Sequence, residues 1–260
     1  MKNSPAIIEI KNLTTGYTDK QIIHQNLNLT VYHGERLALV GASGSGKTTL
    51  LQCLLMLLPA RAGEILLFGQ SINFARPIER EKLRLRCGVL FQSGALFSGL
   101  TVAENILFPL THSAKIHPIL AKKLMRIKLD MVGFPASALN KYPAELSGGM
   151  IKRVAMARAI ALDPELLFLD EPSAGLDPES AYALDELILG LSQALHLTLV
   201  MITHDLDSLA NVAERIAFLG EGKVLACAPL ESLLQHSNPQ IYAYFHNARA
   251  QRAFAAQKIE

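Results

Sequence analysis

Eight residues, Gly41-Ala42-Ser43-Gly44-Ser45-Gly46-Lys47-Thr48, constrain the fold of this chain more than any other segment. They fit the pattern G-x-x-x-x-G-K-[ST] and stand between two apolar stretches of different character. Ahead of them, Leu37-Ala38-Leu39-Val40 reads as a buried strand; behind them, Thr49 to Leu55 reads as the first turns of a helix. Strand, glycine turn, helix is the order in which this pattern has physical meaning. Glycines let backbone N–H groups curve around a phosphate with no Cβ in the way, and the helix N-terminus adds partial positive charge. Lys47 would reach the β- and γ-phosphates of a triphosphate, and the Thr48 hydroxyl would ligate Mg²⁺. The segment therefore reads as a P-loop in an α/β fold.

Composition narrows the setting. With 260 residues, 50% of them hydrophobic, the chain can bury a core as one large domain or two lobes. Its 25 basic and 23 acidic residues leave a formal charge of +2, which gives no bulk electrostatic case for nucleic acid. Cys53, Cys87 and Cys227 are far apart and odd in number, which argues against a disulfide framework or a zinc cluster and for a reducing compartment. The longest apolar run, Leu50 to Pro59, is half the roughly 20 residues that a bilayer span needs. Met1-Lys2-Asn3-Ser4-Pro5 opens no signal-peptide core. A mean hydropathy of +0.24 without a span implies a large core plus an apolar docking surface.

Along the chain, Ile8 to Leu13 and Asn26 to Tyr32 alternate apolar and polar residues, as half-buried strands do. His33-Gly34 supplies a turn before the strand Arg36 to Val40, and Gly63 to Gly69 frames another short strand. These predict a small antiparallel sheet laid against the nucleotide-binding core. Arg76 to Arg86 reads as a solvated helix, and Cys87 to Phe91 as a buried strand ending at Gln92. From Ser98 to Tyr142 the pattern is helical: Thr101-Val102-Ala103-Glu104 is a capping box, and Lys115 to Val132 carries apolar residues at helical spacing with lysines on the other face. Leu166 to Leu169 and Leu197 to Ile202 are continuous apolar runs suited to parallel strands covered on both faces. Strands alternating with helices predict an α/β sheet with an inserted helical subdomain.

A second constellation lies at Asp170-Glu171, two carboxylates ending a buried strand. The carboxyl ends of strands are where open α/β sheets bind ligands. Asp170 suits Mg²⁺, and Glu171 the place where an attacking water would sit. Between the two constellations, Leu146-Ser147-Gly148-Gly149-Met150 directly precedes a helix. Taken in series, these three motifs resemble ATP-binding-cassette (ABC) ATPases. Further positions agree with that family: Gln92 resembles the Q-loop glutamine, Ser173 to Asp177 the D-loop, His204 the switch histidine, and Tyr17 the aromatic that stacks on adenine.

The resemblance covers residues 6 to about 235 and implies a P-loop NTPase fold with a RecA-like core. An N-terminal antiparallel β-subdomain and an inserted α-helical subdomain, about 98–158, would complete a nucleotide-binding domain over 6–240, followed by a short helical tail over 241–260. It implies ATP and Mg²⁺ as cofactors and ATP hydrolysis as the reaction. Nucleotide would be held by Tyr17, Gly41, Ala42, Ser43, Gly44, Ser45, Gly46, Lys47, Thr48, Thr49 and Asp170, with Thr48, Gln92 and Asp170 at the metal. Glu171, His204 and Gln92 would be catalytic. A head-to-tail dimer would sandwich ATP, with Ser147, Gly148 and Gly149 acting on the partner copy's nucleotide and Asp177 in the D-loop.

Three details narrow the resemblance to ATPases of MCE-type lipid transporters, the maintenance-of-lipid-asymmetry group of bacterial inner membranes. They are Met150 in place of the usual glutamine, the segment Phe91 to Phe97, and the residues that follow Pro239. The expected partners are then an integral-membrane permease, an MCE-domain protein and a small regulatory subunit, at the cytoplasmic face of the inner membrane. The apolar segment Ser93 to Leu100 is expected to offer Leu96, Phe97 and Leu100 to the permease; the other reading folds them inward as core. A small-solute importer ATPase is the alternative function, and a soluble cassette protein acting on DNA or ribosomes a more distant one.

Overall fold

The computed structural model describes residues 4–18, 21–73, 75–247 and 250. The chain begins with strands β1 (Ala6–Thr18), β2 (Gln21–Tyr32) and β3 (Arg36–Val40), then helix α1 (Lys47–Leu54), β4 (Ala62–Leu67) and β5 (Gln70–Ser71). Next come α2 (Pro77–Leu85), β6 (Cys87–Leu90), α3 (Val102–Phe108), α4 (Pro118–Met131), α5 (Gly148–Ala159), β7 (Leu166–Asp170) and α6 (Pro178–Ala194). The last elements are β8 (Thr198–Ile202), α7 (Leu206–Val212), β9 (Arg215–Gly220), β10 (Lys223–Ala228), α8 (Leu230–Leu234) and α9 (Pro239–Phe245). These elements fall into two compact units, one of residues 1–83 with 198–260 and one of residues 84–197.

The first unit contains an antiparallel sheet in the order β2-β1-β4-β5, in which Ile10 lies opposite both Leu29 and Ile65. The alternation seen from Ile8 onward places Ile8 and Ile10 in the core, and a register shift between Ile10 and Leu13, with Asn12 at φ 49°, brings Leu13 in as well. β1 and β2 run further than the alternation indicates, paired through several register shifts. Beside this sheet, β3 lies between two parallel neighbours: Ala38 is opposite Met201 of β8 and Ile216 of β9. Leu37, Ala38, Leu39 and Val40 are all buried, as a strand covered on both faces requires. Arg36 pairs with Glu214, and Arg215 with the buried Glu35, tying the start of β3 to that of β9. α9 docks through the buried Ile241 and Phe245, with Phe218 of β9 edge-on to Tyr244 at 5.3 Å. The predicted C-terminal tail beyond Ala250 lies outside the described residues.

In the second unit β6 and β7 form a parallel pair, Cys87 opposite Leu166 and Leu90 opposite Leu169. α5 packs against α3, α4 and α6. Gly88 permits a close approach of β6 and α5: a Cβ there would lie 2.3 Å from the Ala159 carbonyl oxygen. The capping box of α3 forms as read, with Thr101 and Glu104 bonding reciprocally. Two expectations change. α4 starts at Pro118 rather than Lys115, because Lys115 sits at φ 54° and Pro118 takes a first-turn position where its missing N–H costs nothing. Its lysines are also not all solvent-facing, for Lys128 is buried in an ion pair with Asp163.

Asn105, fully buried on α3, fixes the loop before that helix. Its Oδ1 accepts from Phe97 N at 2.8 Å, and its Nδ2 donates to the carbonyls of Phe97, Leu100 and Thr101 at 3.0–3.1 Å. Replacing Asn105 by alanine strands these backbone groups, so chemical denaturation should show a loss of about 1–3 kcal/mol at unchanged m-value. A midpoint equal to wild type would mean that water replaces the amide without cost.

Candidate nucleotide site

Within the first unit the glycine loop leaves β3 at Val40 and turns into α1 at Lys47. Two of its glycines are forced. Gly41 has φ 146° and its Cβ would fall 2.3 Å from the Leu219 carbonyl oxygen; Gly46 has φ 97° and its Cβ would fall 2.3 Å from His24 Nε2. Lys47 Nζ donates to the carbonyls of Gly41 at 2.8 Å and Ala42 at 3.1 Å, so the ammonium is folded into the loop it serves. Ala42, Ser43 and Gly44 are exposed at the loop's crest with Thr48, whereas Thr49 is buried in the first turn of α1. Tyr17 stands on the β1–β2 hairpin with 52% of its surface exposed. Its hydroxyl donates to Gln52 Oε1 at 3.1 Å and lies 3.4 Å from Thr49 Oγ1, which leans the ring along α1.

His204 follows β8, and because β8 is the parallel neighbour of β3, with Ile202 opposite Leu39, it emerges at the same sheet edge as Gly41. The imidazole is exposed, directly before α7, whose first turn is capped by Asp205. The first unit thus brings together Tyr17, the loop Gly41 to Thr48, and His204.

The second unit gathers the other group. β6 ends before Gln92 and β7 ends at Asp170, and the parallel pairing puts both at one edge. Gln92 and Asp170 line a single cleft of about 490 Å³ with Phe91, Ser93, Ala174 and Gly175. Glu171 turns out of the strand at φ 47°, a left-handed conformation uncommon for a residue with a side chain. Ser147 caps α5, its Oγ accepting from Met150 N at 3.3 Å, so exposed Ser147 and Gly148 present the helix N-terminus to solvent. Asp177 caps α6 by accepting from Ser180 N at 3.0 Å, and these hydrogen bonds hold its carboxyl below the usual carboxylate range.

Three contributors escaped the sequence reading. His24, fully buried on β2, forms the floor beneath Gly46, its Nδ1 2.7 Å from Thr15 Oγ1. Burial lowers it from the ordinary 6.5 to about 4, with the Ser45 backbone pulling the other way. Lys152, buried on α5, donates to the Gln92 carbonyl at 2.6 Å and the Glu171 carbonyl at 3.3 Å. Arg158 donates to the carbonyls of Gly94 and Ala95, both at 2.8 Å, and its guanidinium lies 5.7 Å from the Phe97 ring centre. Their strand-like or helical spacing gave the only signal, a polar residue at a core position. Phe97 itself is 46% exposed and tilts against Phe108 at 4.9 Å, which in turn stacks on His112 at 4.5 Å. Leu96 and Leu100 are half-buried, so of the three residues expected to form the patch Phe97 is the exposed one.

A family model described as ABC transporter matches residues 24–174. Among curated relatives, the intermembrane phospholipid transport system ATP-binding protein MlaF of Haemophilus influenzae is 40% identical over 92% of this chain and 89% of its own length. MlaF of Escherichia coli K12 is 37% identical over 84% and 81%. The methionine import ATP-binding protein MetN of Lacticaseibacillus paracasei is 36% identical over 90% and 67%. A solved ATP-binding cassette, dimeric in a post-hydrolysis state with ADP and Pi, superposes with a TM-score of 0.78 at 30% identity over 86% of this chain and 98% of that one. The cassette cbiO1 of Clostridium perfringens, part of an ABC transporter complex, reaches a TM-score of 0.81 at 26% identity over 97% and 99%.

With half the chain and more under one family model and a relative at 40% identity over nearly its full length, this chain belongs to the ABC transporter family. It is one of the family's ATP-binding, ATP-hydrolysing subunits.

The His24 floor has a measurable consequence. Its folded pKa lies below its unfolded one, so the unfolded state binds the extra proton and stability falls as pH drops from about 6.5 towards 4. In His24→Phe that part of the acid loss should vanish from a melting-temperature profile. A profile as steep as wild type across this window would show that His24 is solvated or paired in the folded protein.

Proposed function

We propose that this chain is the energy-coupling ATPase of a phospholipid transporter, working as a head-to-tail pair at the cytoplasmic face of an inner membrane. The observation that carries this is the 40% identity to a phospholipid-transport ATPase along 92% of this chain and 89% of that one. Met150 and the segment Phe91 to Phe97 support it. No helix among the described residues is long and apolar enough to cross a membrane, so contact with the bilayer would run through a permease. The exposed rings of Phe97 and Phe108 are the surface suited to an apolar permease segment, with an MCE-domain protein completing the assembly.

In this reading the backbone N–H groups of Gly41 to Thr48 cradle the phosphates, Lys47 swings from its loop carbonyls to the β- and γ-phosphates, and Tyr17 offers its exposed face to adenine. Thr48, Gln92 and Asp170 present a hydroxyl, an amide carbonyl and a carboxylate, a hard oxygen set that fits Mg²⁺ better than a softer metal, and Gln92 and Asp170 already share one cleft. When bound by these residues, Mg²⁺ would neutralise charge on the phosphate oxygens. Glu171 accepts the proton of the water that attacks the γ-phosphorus, and His204 contacts that phosphate from the β8 edge. Ser147, Gly148 and Gly149 direct the N-terminus of α5 at the nucleotide of the partner copy. The identity to a methionine-import ATPase, 36% over 90% of this chain, favours a small-solute importer as the second reading.

Reconstitution of the full chain with its permease in vesicles separates the two. Labelled phospholipid should move only with ATP, and Glu171→Gln should keep ATP binding while lowering turnover by roughly 10²–10⁴-fold. ATP-dependent movement of an amino acid with no movement of lipid would contradict the proposal, and near-normal hydrolysis in Glu171→Gln would remove Glu171 as the base.

A further inference from the structure

We infer that Lys152 is a positioning residue for hydrolysis: its buried ammonium holds, by their backbones, the two residues assigned here to the attacking water and the metal. Lys152 lies one turn into α5 and is 5% exposed. A lysine in such a place gives up most of its hydration and remains only where specific acceptors replace it. Its acceptors are the carbonyl oxygens of Gln92, 2.6 Å away and 60 positions earlier, and of Glu171, 3.3 Å away and 19 positions later. These bonds reach the backbone carbonyls of Gln92 and Glu171 and not their side chains. What the ammonium fixes is the pair of backbones from which the two side chains project.

The need for such a tie is visible at Glu171. Its φ of 47° is a left-handed conformation that a residue with a side chain holds only when its surroundings over-determine it. A carbonyl clamped from below by a cation that also clamps the neighbouring strand end supplies that restraint.

Position on α5 gives the tie a second consequence. The helix begins at the exposed turn Ser147 to Gly149, and Arg158, further along, grips the carbonyls of Gly94 and Ala95 in the loop that carries Phe97. Two cations of one helix therefore hold both ends of the segment from Gln92 to Ala95. A displacement of α5 at its N-terminus, or of the aromatic loop, moves the backbone of Gln92 and, through Lys152, that of Glu171. Lys152 makes the alignment of the base depend on the place of that helix.

The inference rests on Glu171 and Gln92 having the roles given above, and the experiment keeps the two apart. Full-length Lys152→Met, which preserves length and packing but deletes the donors, is compared with Lys152→Arg, which keeps the charge. The expected result is folded protein whose ATP KM stays within about twofold while kcat falls by about 10–10²-fold, the scale of a small misalignment. Lys152→Arg should recover kcat to within a few-fold. The double variant Lys152→Met with Glu171→Gln should lose less than the product of the two single losses, because the part of the Lys152 effect that acts through Glu171 is already gone. An unchanged kcat in Lys152→Met, or a multiplicative loss in the double variant, would overturn the inference. A loss that merely tracks the fraction of folded protein would do so as well. If Lys152→Met does not fold, Lys152→Leu, which deletes the donors in a shorter apolar side chain, should show the same fall in kcat at constant KM, and a wild-type kcat there would be equally fatal. A normal rate in Glu171→Gln alone would instead remove the assigned base and leave the tie of Lys152 to Gln92 as a separate matter.

Discussion

Parallel pairing of neighbouring strands decides where the glycine loop, His204, Gln92 and the Asp170-Glu171 pair emerge. Two hydrogen-bonded parallel strands end at the same edge, so the segments that follow them are delivered side by side. β3 and β8, with Leu39 opposite Ile202, release the glycine loop and His204 together; β6 and β7, with Leu90 opposite Leu169, release Gln92 and the Asp170-Glu171 pair together. The apolar runs of these strands serve a second purpose beyond burial. Because side chains alternate along a strand, a slip of one residue would turn each functional group to the other face. The fully buried Leu39, Ile202, Leu90 and Leu169 make such a slip costly on both faces.

Holding those edge segments in working shape has its own cost. Gly41 and Gly46 accept positive φ freely and also admit neighbours that any Cβ would strike. Glu171 has no such freedom, and its left-handed backbone costs about 1–3 kcal/mol that surrounding bonds must offset. The structure supplies buried polar ties at the points of need: His24 under the glycine loop, Lys152 under the strand ends, Arg158 and Asn105 under the aromatic loop. Lys152, Arg158 and Asn105 bond backbone carbonyls directly, and His24, held by Thr15, abuts the backbone of Gly46. A tie of this kind fixes conformation through the backbone and not through the functional side chains.

The parts of this arrangement that were legible in the sequence are those with a local cause. The glycine loop, the capping box at Thr101 and the buried strands β3, β6, β7 and β8 each follow from residues within one short window and formed within a residue of where they were read. By contrast, α5 begins at Gly148, inside the turn read as preceding it. The ties were not legible, because their partners are distant: Lys152 meets Gln92 across 60 positions, and Lys128 meets Asp163 across 35. A lysine at helical spacing looks the same whether its ammonium ends in water or against a buried carbonyl. The start of α4 was misjudged for a related reason, since apolar spacing from Lys115 continues smoothly through a residue that the backbone turns left-handed. Roles at the site came from resemblance to a family, while the geometry contributed which groups share an edge.

The central claim is that one copy supplies the glycine loop and the other the Ser147 turn to each working site. Mixing two inactive proteins tests it most directly: Lys47→Ala, which spoils the first part, and Ser147→Arg, which spoils the second. In a mixed pair one site combines both defects and the other combines none, so ATP hydrolysis should reappear on mixing and rise as mixed pairs form. A mixture as inactive as its two components would contradict shared sites, and full activity in Ser147→Arg alone would show that each copy hydrolyses ATP without its neighbour.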